Sequence, residues 1–173
     1  LDAYALVANE GEPSNELNAE GTAYLADPAG SVSVITLPAL GTVAAASQGD
    51  VRTADFTAFD APGALHEDIR IFGPEDHHNQ PSLDLEPEYV ASANGKAFVT
   101  LQENNAIAII DIASATVENI VPAHIADHSQ IAIDPSNKDD AAELRTIPVK
   151  GLSMPDSIHA FSTNGQTYFA TAN

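Results

Sequence analysis

Apolar residues in this chain alternate with small or polar ones over short stretches, and long runs with helical spacing are scarce. Ser31 to Leu37 reads SVSVITL and Ala106 to Ile112 reads AIAIIDI, both rich in β-branched residues and both of strand length. Asn94-Gly95 and Asn164-Gly165 each stand between two such runs, the pattern of a tight hairpin. Ala141 to Arg145 is the one stretch that predicts helix, a single turn.

The runs repeat. PEYVASANGKAFVT (Pro87 to Thr100) returns as PDSIHAFSTNGQTYFAT (Pro155 to Thr171), each reading proline, acid, strand, Asn-Gly, aromatic, strand. A third copy of the second strand, YALVAN (Tyr4 to Asn9), opens the chain and matches YFATAN (Tyr168 to Asn173). The clearest unit predicts four strands, about Glu88–Ser92, Lys96–Leu101, Ala106–Ile112 and Thr116–Val121. Repeated four-stranded antiparallel units predict a β-propeller in preference to a sandwich. The fold class expected is all-β: a propeller fragment of four-stranded blades with long loops on one face. Residues 1–173 then form one partial propeller, with a complete blade at about 86–121 and parts of two others.

Charge narrows the function classes. The 173 residues carry 25 Asp and Glu against 6 Lys and Arg, a net charge of −19. With 44% hydrophobic residues the chain can build a core, so this is not a disordered acidic tail. The charge repels phosphate backbones and argues against nucleic acid as a partner. No apolar stretch is long enough for a transmembrane helix. There is no cysteine, which leaves the redox compartment open. The chain begins with Leu1, without a signal peptide, and is expected to be a mature or excised piece of a longer protein.

Several segments resemble the YVTN-type propeller repeat, notably FVTLQENNAIAIIDIASATV (Phe98 to Val117). More specifically, the chain resembles bacterial choice-of-anchor I proteins, related to the mesenchyme-specific cell-surface glycoprotein family. The residues that carry this are LVANEGEPSNE (Leu6 to Glu16), RIFGPE (Arg70 to Glu75), DLEPEYV (Asp84 to Val90), TLQENNAIAIIDIA (Thr100 to Ala113), PVKG (Pro148 to Gly151), MPDSI (Met154 to Ile158) and YFATAN. The resemblance implies an exported or surface-anchored propeller much longer than this chain, at a bacterial cell surface, in the periplasm or outside the cell. Some relatives are labelled esterase-like or phosphatase-like. The chain lacks the later Asp/Gly-rich segments of that family, so the expected partner is the remaining propeller polypeptide or another copy of the chain.

Strand order also locates candidate chemistry. In antiparallel blades the start of the first strand and the end of the second share one edge. The long insertions Glu10–Gly30, Pro38–Leu85 and Pro122–Met154 therefore all belong to one face, and loops that carry function sit there. Glu86, Glu88 and Asp156 stand at starts of first strands, with Glu10 and Glu103 just past ends of second strands. These five are the candidate metal ligands, with Asn9, Glu12, Gln102, Asn104 and Asn105 on the same binding face. Carboxylates with amide carbonyls nearby form a hard-oxygen set suited to calcium, with another divalent metal as the alternative.

The histidines carry less signal. His77 and His78 are adjacent, so in an extended stretch their side chains diverge. With Asp76 they could join a zinc or iron site only through distant ligands, and surface placement is expected. His124 and His128 lie four apart around Asp127 but in a segment without helical pattern. His159 is expected to pack or hydrogen-bond within a strand, and His66 stands alone in a loop. Asp134 to Asp140 superficially suggests an EF-hand but lacks glycine at the sixth place and has Arg145 at the twelfth. No nucleophile elbow or phosphate-cradling glycine loop is present, and no catalytic residue stands out. Two functions follow: a secreted or surface-displayed, calcium-stabilised module for binding, adhesion or assembly, or a metal-dependent phosphoesterase of the alkaline phosphatase or phytase type. The phosphoesterase would need cationic clamps on phosphate, and the chain has few. Whether it is an enzyme stays open at this point.

Overall fold

The computed structural model describes residues 4–39 and 46–173, and they form an all-β protein of antiparallel sheets. The first sheet holds β1 (Tyr4–Asn9), β2 (Ser31–Thr36) and β3 (Val51–Asp55) in that order. The second is a four-stranded meander of β4 (Pro87–Ala93), β5 (Lys96–Leu101), β6 (Ala106–Asp111) and β7 (Thr116–Pro122). Two short strands, β8 (Ile125–Asp127) and β9 (Lys150–Leu152), pair with each other. The last pair is β10 (Ile158–Thr163) with β11 (Gln166–Thr171). A five-residue helix, α1 (Glu75–Asn79), is the one α-helix among the described residues.

Burial follows the sequence pattern. In β2 the alternation SVSVIT buries Val32 and Val34 and leaves the serines half-buried. Strands β5 and β6 are buried almost along their whole length, so both faces of this sheet's centre are covered. The core joins the first two sheets through Val32, Val34, Ala54 and Phe56 on one side and Val99, Leu101 and Ile110 on the other. Between the second sheet and the last pair, Phe98 and Phe169 meet with ring centroids 5.4 Å apart. Strand β4 lies against both β1 and β10.

Both Asn-Gly hairpins form as expected. Asn94 and Asn164 adopt φ of 51°, each followed by a glycine at 77°, the paired left-handed conformation of a two-residue hairpin turn. Pro87 opens β4, a place where its missing N–H costs nothing. Immediately after it the β4–β5 register shifts between Pro87 and Val90. At this bulge, which spans Glu88, the Tyr89 N–H donates to the buried Thr100 hydroxyl at 3.1 Å.

Three expectations need correction. The stretch Pro38–Leu85 is not one insertion: it contains β3, whose VRTAD sequence buries only Ala54 and so shows little apolar pattern. Its residues 40–45 lie outside the described residues. Likewise Pro122–Met154 contains β8 and β9, each too short for any periodicity to register. Ala141 to Arg145 forms no helical turn; Arg145 instead makes an isolated bridge with Ile133.

Candidate functional site

The pairing registers put the long connections on one edge. Asn9 pairs with Ser31, Pro87 with Leu101, Ala106 with Pro122, and Ile158 with Thr171. The β1–β2 loop, the approach to β4, the β5–β6 turn and the approach to β10 therefore meet on that edge. Gly30, at the end of the β1–β2 loop, shows how closely they meet. A Cβ there would collide with the Leu85 carbonyl and lie 2.6 Å from Pro87 Cδ.

Two asparagines hold this edge together. Asn104 is fully buried, and its side-chain N–H groups donate to the Arg70 carbonyl at 3.0 Å and the Asp84 carbonyl at 2.7 Å. Its Oδ1 accepts from the Glu86 N–H at 3.3 Å. Asn105, also buried, donates to the Ala123 carbonyl at 3.3 Å and accepts from the Met154 N–H at 2.9 Å. Both amides are engaged with backbone, so what they give the face is position. Asn9 is exposed and donates to the Ser31 and Ser33 hydroxyls, Gln102 is half-buried, and Glu12 is exposed.

The carboxylates converge where the connections meet. Glu86 is only 6% exposed, and no described residue donates a hydrogen bond to its carboxyl. Burial, and then the charges of Glu103, Asp84, Glu10 and Glu12, push its pKa up to about 7. Burial likewise raises Glu88, followed by the charges of Glu103, Glu10 and Asp156. Glu103 itself has a fully buried Oε2 without a hydrogen-bond partner. Glu86, Glu88, Glu103, Glu10 and Asp156 therefore occupy one electrostatic neighbourhood, assembled from four separate connections.

A second cluster lies beside it. His77, expected at the surface, is 1% exposed. It sits in α1, which places His77 inward and His78 outward rather than on an extended strand. Nδ1 of His77 is 2.8 Å from Asp84 Oδ1 and Nε2 is 2.8 Å from Asp27 Oδ2. Asp84, fully buried, also accepts from the Phe72 N–H at 2.9 Å, the Gly73 N–H at 2.7 Å and the Asn104 amide at 3.2 Å. Burial alone would lower the His77 pKa, but the hydrogen bonds to Asp84 and Asp27 and their charges outweigh it and raise it. Gly73 is required here, because a Cβ would collide with the imidazole Nδ1 and come within 2.6 Å of Asp84 Oδ1. The Tyr24 ring meets His77 edge-on at 5.5 Å, and its phenol pKa is raised by burial and then by Asp84, Glu86, Asp27 and Asp76. Tyr24 thus feels both clusters.

The other histidines take ordinary roles. His128 Nδ1 is 3.0 Å from the Ile131 carbonyl, and His66 Nδ1 accepts from the Asp68 N–H at 3.1 Å. His159 is exposed rather than packed.

A family model for the choice-of-anchor I domain matches residues 3–173, nearly the entire chain. The chain belongs to the choice-of-anchor I domain family. The segments that carried the resemblance are the ones that build this edge: DLEPEYV holds Asp84, Glu86 and Glu88, and TLQENN holds Glu103, Asn104 and Asn105. As a choice-of-anchor I domain the chain is associated with the bacterial cell surface. No described helix is long and apolar enough to cross a membrane. No curated protein and no solved structure matches the chain.

Proposed function

We propose that this choice-of-anchor I domain is part of a surface-displayed β-propeller that acts as a calcium-stabilised module for binding, adhesion or assembly. The propeller reading is supported by the four-stranded meander β4–β7 and by β4, the first strand of that unit, lying against β10, the first strand of the next, as first strands do around a common axis. The remaining polypeptide of the propeller, or a second copy of the chain, would complete the ring.

The observation that carries the calcium reading is Glu86: a buried carboxyl, without a donor, held near pKa 7 among other carboxylates. Such a group is costly in the metal-free chain, and a divalent cation offsets that cost. Glu86, Glu88, Glu103 and Glu10 would supply carboxylate oxygens, with Asp156 approaching from the start of the last strand pair. An all-oxygen set from several loops suits calcium, which takes about 6–8 oxygens in flexible geometry.

A phosphoesterase on the same face is the weaker reading. Three of the six cationic side chains are already engaged. Lys96 pairs with Asp111 and Glu118, Arg52 donates to the Ile112 and Ala113 carbonyls, and Arg70 donates to the Glu103 carbonyl. Calcium titration of the chelated chain by calorimetry tests the proposal. Wild type is expected to bind, and Glu86→Gln to bind at least about tenfold more weakly while keeping its circular dichroism. Equal binding by both proteins would remove Glu86 and its neighbours from the site.

A further inference from the structure

The proton arrangement at His77 points beyond the carboxylate face and does not depend on it. Asp84 already accepts three N–H bonds, from Phe72, Gly73 and Asn104. Its contact with the imidazole is therefore a donation from Nδ1–H. That fixes the tautomer: in a neutral ring Nε2 then carries a lone pair. This lone pair faces Asp27 Oδ2 at 2.8 Å, inside a site where His77 is 1% exposed and the Asp27 side chain 14%. Two acceptors at that distance need a positive species between them.

A proton between Nε2 and Oδ2 would answer only that one contact. It leaves Asp27 Oδ1 and Asp76 Oδ1, both fully buried and both without a hydrogen-bond partner. Orphaned carboxylate oxygens of this kind are rare and need a cause. The candidate ligand atoms of Asp27, Asp76 and His77 lie within 4.8 Å of one another. A single cation beside Nε2 would satisfy all three side chains together. Asp84 on Nδ1 would then act as the carboxylate that orients a metal-bound histidine and raises its basicity.

We propose that His77, Asp27 and Asp76 form a binding site for a divalent transition-metal ion, zinc by its ligand types. One imidazole nitrogen and two carboxylates match the nitrogen and oxygen donors zinc takes at about 2.0–2.2 Å, and a nitrogen ligand distinguishes the site from the all-oxygen calcium face. Three protein ligands leave a fourth position for water or a partner's donor atom. The β1–β2 loop supplies Asp27 and α1 supplies Asp76 and His77, so the ion would join two connections whose backbones are hydrogen-bonded to each other, among the described residues, only through the long Asp76 N–H to Thr22 carbonyl bond at 3.5 Å.

The test uses the full chain, stripped with chelator and titrated with zinc. Cobalt serves as a spectroscopic probe, because its visible bands report coordination geometry. Wild type is expected to take one tight zinc, with cobalt bands that zinc displaces. Asp76→Asn is the decisive variant: the Asp76 side chain makes no hydrogen bond to another described residue, so the fold keeps its bonds. It is expected to weaken zinc binding by at least about tenfold and to abolish the cobalt bands. His77→Gln should do the same, with circular dichroism reporting whether it folds. If zinc binds only weakly and at many sites, or binds Asp76→Asn as tightly as wild type, the proposal fails and His77 is a proton-bridged clasp between Asp27 and Asp84. Calcium binding by calorimetry is a separate readout, so loss of the calcium reading leaves this outcome unaffected.

Discussion

The two edges of the four-stranded sheet handle charge in opposite ways. On the hairpin edge, Lys96 Nζ sits 2.8 Å from Asp111 and 2.6 Å from Glu118, all three in contact with solvent. Lys96, with the Ser114 N–H and hydroxyl, holds the Asp111 carboxyl down at about 2. On the loop edge, Glu86 is buried, lacks a donor and is pushed up to about 7. Both carboxyls belong to the same short stretch of chain, and the difference lies in what surrounds each. Charge on the hairpin edge is balanced from within the molecule. On the loop edge no Lys or Arg among the described residues pairs with the carboxylates, and the proposed cation site rests on that asymmetry.

The largest effect expected is from removing the packing beneath the loop edge. Leu101 is fully buried where β5 ends and pairs with both Pro87 and Ala106. Leu101→Ala is expected to cost about 2–5 kcal/mol in chemical denaturation. If it costs little, this edge is not built on the core as described. Next comes Gly73→Ala, whose methyl would intrude on His77 and Asp84. It is expected to cost on the order of 2 kcal/mol and to impair zinc binding, while calcium binding persists.

Glu86→Gln sharpens the contrast because its sign is opposite. In the chelated chain it is expected to stabilise by on the order of 1 kcal/mol at slightly alkaline pH, after allowance for solvent screening. It does so by removing a buried charge. The same substitution should abolish the calcium response. Lys96→Met, on the solvent-exposed edge, is expected to move the melting temperature by only about a degree or two near neutral pH. Its pH signature is distinct. Asp111 is depressed in the folded chain, so its contribution is present above its unfolded value near 3.8 and fades as pH falls toward about 2. Lys96→Met should flatten that acid limb.

Much of this was legible in the chain. The repeat PEYVASANGKAFVT located β4 and β5 within a residue or two, because alternation and Asn-Gly turns are local signals. The grouping of Glu10, Glu86, Glu88, Glu103 and Asp156 on one edge followed from strand direction alone. What stayed hidden was non-local or weakly patterned. β3 carries Arg52 and Asp55 and buries one alanine. α1 is five residues long, between Pro74 and Gln80. His77 was misplaced because its partners Asp84 and Asp27 lie 7 and 50 residues away, and no spacing rule links them. The one local hint was GPEDHH itself: a glycine and a proline just ahead of two acids and two histidines.

The most direct test of the central claim is thermal unfolding of the chelated full chain, with and without added calcium, at about pH 5 and about pH 8. Glu86 titrates near 7 when folded and near its ordinary 4.5 when unfolded. Folding therefore takes up a proton between those values, and metal-free stability falls as pH rises from about 4.5 to about 7, then levels. Near pH 8 the carboxylates are charged and calcium relieves their repulsion; near pH 5 it must first displace a proton. The account predicts a large calcium-dependent rise in melting temperature near pH 8 and a much smaller one near pH 5. An equal shift at both, or none at either, would contradict it.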